Sequence, residues 1–119
     1  VINKTPDDFI VMSGDDGLTY EVMEAGGRGV ISVASNIVPD KVLEMTQTIN
    51  ARDLETGKAM ADNLSDLFKV IFVETNPGPV KYAAELMNIM PSRVRLPLVT
   101  PEPESQEKIK AVLKRHDLI

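Results

Sequence analysis

The sequence predicts an α/β fold in which one parallel βαβ unit comes first and helices occupy nearly all of the remainder. Three observations predict it. The apolar run Phe9-Ile10-Val11-Met12-Ser13, rich in strand formers, runs into Gly14-Asp15-Asp16-Gly17, the pattern of a buried strand and its exit turn. A second run, Gly29-Val30-Ile31-Ser32-Val33, follows a stretch in which Leu18, Val22 and Ala25 recur at helical spacing. After Asn36 the apolar period is helical almost to the end. Strand, short helix and strand in that order make a parallel pair with a right-handed crossover.

Each element has its own signals. The strands are expected at 9–13 and 29–33, and the helix between them at 18–25. Gly26-Gly27 stops that helix, because glycine takes the left-handed cap without a Cβ penalty. Val42, Met45, Thr46 and Ile49 form one stripe of the next helix, with Pro39 suited to its first turn and Asp40 near the positive end of its dipole. Asp53 is the N-cap of a longer helix lined by Met60, Leu64, Leu67, Phe68 and Ile71. Asn76-Pro77 interrupts the pattern, and Val80, Ala83, Ala84 and Met87 mark another helix. Residues 91–103 hold Pro91, Pro97, Pro101 and Pro103 and read as an extended connection. The last helix, about residues 104–116, turns Ile109, Val112 and Leu113 inward and ends on Lys114, Arg115 and His116, a charge order that complements the dipole. Two parallel strands that are apolar on both faces leave unpaired edges, so the chain is expected to need neighbours it does not contain.

The 119 residues suffice for one core, and 43% apolar with 26% charged residues is ordinary globular usage. The net charge of −5 lies wholly in the first half, where ten acids face five bases in residues 1–60 against eight and eight in residues 61–119. That sign argues against nucleic acid and against adsorption to anionic membranes as partners. Without cysteine there is neither a disulfide framework nor a thiolate site, which suits a reducing cytoplasm. An apolar run such as Val70 to Val73 is far short of the ~20 residues of a membrane span. Val1 is not preceded by a Met or a signal peptide, so the chain is expected to be cut from a longer one. Asn3-Lys4-Thr5 and Asn63-Leu64-Ser65 are read as chance glycosylation patterns.

Ser13-Gly14-Asp15-Asp16-Gly17 sits where parallel α/β folds carry their binding loops, at the C-terminal end of a strand. The same residues also read as a helix N-cap, with Asp16 accepting from the first turn. A phosphoacceptor site with Mg²⁺ would need further strands ending in Thr/Ser and Lys, and only one more strand is present. Gly26-Gly27-Arg28-Gly29 precedes a strand rather than a helix, so it reads as a turn and not a phosphate loop. Ser32, Ser35 and Asn36 either line a pocket or form a turn. His116, the single histidine, reads as a solvated helix-end residue rather than a general base. Lys81 has a half-buried setting, with Glu74 or Glu85 as its expected partner.

Four stretches in order and spacing resemble the dihydrodipicolinate synthase family: Ser13-Gly14-Asp15-Asp16; Gly26 to Val33 through Asn36 and Pro39; Phe72-Val73-Glu74-Thr75-Asn76-Pro77-Gly78-Pro79-Val80-Lys81-Tyr82; and Arg95-Leu96-Pro97-Leu98. The resemblance covers essentially the whole chain. It implies the C-terminal portion of a (β/α)8 TIM barrel, with residues 1–50 its last two βα units and residues 51–119 a helical C-terminal domain.

The implied activity is that of a lyase joining pyruvate to aspartate semialdehyde in lysine and diaminopimelate biosynthesis. A lysine Schiff base would carry the chemistry, with no metal and no separate cofactor. In that family the Schiff-base lysine, the proton-relaying tyrosine and the carboxylate-binding arginine all precede the segment matched here, so no catalytic residue is expected in this chain. The substrate-binding positions implied are Gly14, at the mouth of the seventh strand, and Ile31, whose backbone carbonyl faces pyruvate, with Asp15 and Asp16 supporting at the rim. The implied partners are the missing N-terminal part of the barrel and further copies in a homo-oligomer. N-acetylneuraminate lyase and keto-deoxy-sugar aldolases share this superfamily and remain alternatives, as does a non-catalytic helical interaction module.

Overall fold

The two apolar runs pair in parallel as expected, but the ladder is short. In a computed structural model that describes all 119 residues, β1 (Met12–Ser13) and β2 (Gly29–Val30) align Met12 with Gly29 and Ser13 with Val30. Arg28 N–H donates to the Val11 carbonyl at 2.9 Å and Ile31 N–H to the Ser13 carbonyl at 2.8 Å. The expected strands 9–13 and 29–33 are therefore too long. With one neighbour each, the flanking residues lack a second ladder to hold them extended, and Phe9, Ile10 and Ile31 lie exposed.

The chain divides into two units, Val1–Ser65 and Asp66–Ile119. In the first, a 3₁₀ turn at Asp16–Leu18 leads into α1 (Thr19–Glu24), which contacts both strands. Gly26 ends α1 with φ +111°, and Gly27 N–H donates to the Val22 carbonyl at 2.8 Å. A Cβ at Gly27 would lie 2.7 Å from that oxygen, so the double glycine is needed for both torsion and space. A further 3₁₀ turn at Ala34–Asn36 precedes α2 (Pro39–Asn50), whose Val42, Met45 and Ile49 are buried while Pro39 fills the first turn. α2 also packs on α1.

Arg52 at φ 65° turns the chain into α3 (Leu54–Val70), where the Asp53 carboxylate accepts from Thr56 N–H at 3.2 Å as the N-cap reading expects. The Lys58 ammonium of α3 stands 5.7 Å from the centre of the Tyr20 ring. α3 approaches α2 closely at Gly57.

The second unit is helical. It contains the end of α3, then α4 (Gly78–Leu86) packed on α5 (Pro103–Arg115), around a core of Leu67, Ile71, Ala83, Ile109 and Leu113. The proline-rich residues between α4 and α5 form no regular element, in line with the proline reading. Their polar groups are tied back: Glu102 N–H donates to Glu74 Oε1 at 2.9 Å and Ser92 Oγ to Glu85 Oε2 at 2.5 Å. Those two bonds engage the acids expected to pair with Lys81. Its ammonium instead donates to the Arg93 carbonyl.

A Cβ built on Gly57 would fall 2.5 Å from Cγ1 of Ile49, a residue that is itself fully buried. Ala favours a helix over Gly by about 1 kcal/mol, whereas overpacking a filled core costs about 1–3 kcal/mol. Gly57→Ala is therefore expected to lower stability by up to about 2 kcal/mol, read by urea denaturation of the two proteins side by side.

Candidate functional site

The C-terminal ends of β1 and β2 open side by side, because the parallel register puts Gly14 next to Ile31. In the loop after β1, the buried Ser13 hydroxyl donates to the Asp15 carbonyl at 2.7 Å, and Asp15 Oδ1 accepts from Gly17 N–H at 2.7 Å. Asp15 thus caps the turn that leads to α1, and its side chain lies at the surface. Gly14 is exposed, with no atom within 4 Å of where a Cβ would stand. That leaves clear space for a group to approach the backbone.

Asp16 does not cap its own helix, contrary to the N-cap reading. It is 2% exposed, and its carboxylate reaches the loop after β2. There it accepts from Ser32 Oγ at 2.5 Å, Val33 N–H at 2.9 Å and Ala34 N–H at 3.1 Å. The reason is geometric: Asp15 already occupies the cap, and the ladder sets the second loop against the first.

Ser32, Ser35 and Asn36 form the turn itself. Ser35 N–H donates to Ser32 Oγ at 2.8 Å, Ser35 Oγ to the Ser32 carbonyl at 3.1 Å, and Asn36 Nδ2 to the Val33 carbonyl at 3.0 Å. Gly26 to Gly29 is a helix stop leading into β2, as its order in the chain predicts. No group of three or more His, Asp and Glu side chains is gathered for a metal.

Two grooves flank the ladder. One is lined by Ile2, Lys4, Val11, Leu18 and Val22, the other by Met12, Val30, Ser35, Pro39 and Leu43.

His116 departs from its expected solvated setting. Its side chain is 6% exposed, and Nε2 lies 2.8 Å from Asp66 Oδ1. Arg115 pairs with the other oxygen of Asp66, and Leu67 N–H donates to Oδ1 at 2.8 Å. Burial pushes the Asp66 carboxyl up, but the bond and charge of His116, the Leu67 N–H and the Arg115 charge together hold it below the ordinary carboxylate value. Asp66 carried no signal in the sequence, since its partners lie 49 and 50 residues away.

The model of the dihydrodipicolinate synthetase family matches residues 1–116. The chain belongs to that family. Within the family, the 4-hydroxy-tetrahydrodipicolinate synthase of Archaeoglobus fulgidus is 44% identical over 119 residues, which are 100% of this chain and 41% of the relative. The crystal structure of dihydrodipicolinate synthase from Aquifex aeolicus superposes with a TM-score of 0.96 at 40% identity, over 98% of this chain and 40% of that one. The chloride-inhibited synthase from Acinetobacter baumannii, crystallised with pyruvate, superposes at 0.95 with 32% identity over 99% of this chain and 40% of its own. The chain therefore spans about two fifths of the length of these family members.

The lowered Asp66 carboxyl contributes stability that is present above the ordinary aspartate value of about 3.9 and is lost as pH falls through the folded value. At pH 6, Asp66→Asn and His116→Ala are each expected to cost about 1–2 kcal/mol in denaturant unfolding. The deficit of Asp66→Asn should shrink as the pH is lowered below the ordinary aspartate value of about 3.9 and the folded carboxylate is protonated.

Proposed function

We propose that this chain acts as the C-terminal portion of a 4-hydroxy-tetrahydrodipicolinate synthase, a lyase that condenses pyruvate with aspartate semialdehyde in lysine and diaminopimelate biosynthesis. One observation carries the reading: 44% identity runs the whole length of this chain yet covers only 41% of a relative of that name. The two-stranded sheet with free edges and a groove on either side agrees with a larger parallel barrel, to which residues 1–50 would supply the last two βα units. Residues 51–119 would be the helical domain that follows.

In this reading the reaction starts when a lysine amine from the preceding strands condenses with the ketone of pyruvate, releasing water. The resulting iminium accepts the electron pair left when the methyl carbon loses a proton. This chain supplies the wall against which the adduct forms. Gly14 keeps one side of the pocket free of a side chain, and the Ile31 carbonyl is the polar group facing pyruvate. Asp15 and Asp16 support the rim. The assembled enzyme would be a cytoplasmic homo-oligomer that needs no metal or separate cofactor. In this framework the 119 residues alone are inactive.

The test joins this chain to the N-terminal remainder of the Archaeoglobus fulgidus enzyme and treats it with pyruvate and borohydride. The joined protein should gain one reduced adduct, on a lysine outside these residues, and the chain alone should gain none. A stoichiometric adduct on a lysine of this chain would overturn the assignment. In the joined protein Gly14→Val should lower turnover at least about tenfold by filling the pocket, and unchanged turnover would refute the placement of the site.

A further inference from the structure

We propose that Asp16 is a positioning residue that fixes the direction of the Ile31 carbonyl by clamping the loop after β2 to the loop after β1. The proposal rests on the functional reading above and replaces a rim role for Asp16 with a specific one.

A carboxylate removed from water must have its oxygens satisfied. Asp16 meets that demand with three donors from residues 32–34, across a gap of 16 to 18 residues in sequence. With its oxygens so engaged and 2% exposure, it has little to offer a substrate. Asp15, its neighbour, is at the surface and belongs to a separate local cap.

The hydroxyl of Ser32 is held in a defined role. It accepts from Ser35 N–H at 2.8 Å, which leaves its single proton for Asp16.

Ile31 is where these restraints meet. Its side chain is 71% exposed and supplies no packing anchor. Its N–H is held by the Ser13 carbonyl at 2.8 Å. The next residue, Ser32, is held by Asp16. The peptide group that contains the Ile31 carbonyl lies between these restraints, with the ladder holding the peptide before it and the clamp holding Ser32 Oγ and Val33 N–H after it. A carbonyl aimed at a reacting group must be held in advance to help it, because small misplacements cost large factors in rate.

The clamp is tested first on this chain. Asp16→Ala removes the carboxylate and with it all three acceptances, those from Ser32 Oγ, Val33 N–H and Ala34 N–H. Exchange of the Val33 and Ala34 amides should accelerate at least about tenfold, while the core amides of Val42 and Ile49 in α2 exchange as in wild type. Unchanged protection at Val33 and Ala34 would overturn the clamp.

Catalysis is then read in the joined protein. Asp16→Ala should lower kcat at least about tenfold. Ser32→Ala, a milder change that keeps the fold, should cause a smaller fall. The double variant should lose no more than Asp16→Ala alone, because both act through one restraint. Additive losses, or a rise in KM with kcat unchanged, would show Asp16 acting on substrate and overturn the proposal. A wild-type joined protein that folds but forms no pyruvate adduct would refute the functional reading and the positioning role with it. The exchange result on the isolated chain would still decide the clamp.

Discussion

Two backbone hydrogen bonds, from Arg28 N–H to Val11 and from Ile31 N–H to Ser13, hold the register on which the first unit is organised. A slip of one residue would reverse the facing of every side chain on the slipped strand. It would also move Gly14 away from Ile31 and take Asp16 out of reach of Ser32. The register is well specified despite its brevity, since α1 contacts both strands and the double glycine after it sets the return of the chain. The Asp16 carboxylate then adds a second tie beyond the end of the ladder. Local geometry at the two loops thus follows from the pairing of four residues and one buried acid.

The charge pattern has a bearing on the proposed chemistry. Between Ser13 and Gly27 the chain has no Lys or Arg, and between Gly29 and Asp40 again none. The donors gathered around Asp16 are neutral. The two loops themselves therefore carry one exposed acid, Asp15, and backbone dipoles, and no Lys or Arg of their own.

Much of the fold was legible because it is written locally. Pro39 at a helix start, Asp53 at an N-cap, Gly26-Gly27 at a helix stop and Pro91, Pro97 and Pro101 in the connection each act within a few residues of themselves, and each is found as read, whereas Pro103 opens α5 instead of ending the connection. The family resemblance was legible for the same reason, since its motifs are contiguous. What the sequence concealed is set by partners far along the chain. Strand length depends on neighbouring strands, so the runs at 9–13 and 29–33 promised longer ladders than two residues apiece. Asp16 looked like a local cap because its true partners are a loop away, and His116 looked solvated because Asp66 lies 50 residues before it. Lys81 was assigned to the wrong acceptor because the pattern of charges says nothing of which carboxylates are already engaged by Glu102 N–H and Ser92.

The close approach of Gly57 to Ile49 has an evolutionary consequence. The space between α2 and α3 at that point is filled by the γ-methylene of Ile49 on one helix and by the absence of a side chain on the other. Descent can redistribute that volume but cannot add to it. Alanine at 49, which lacks the γ carbons, would open room for a methyl group at 57, whereas valine keeps both γ carbons and would not. The two positions are thus coupled sterically: a methyl group at 57 overfills the core while Ile49 is present, and contraction at 49 to alanine removes that cost.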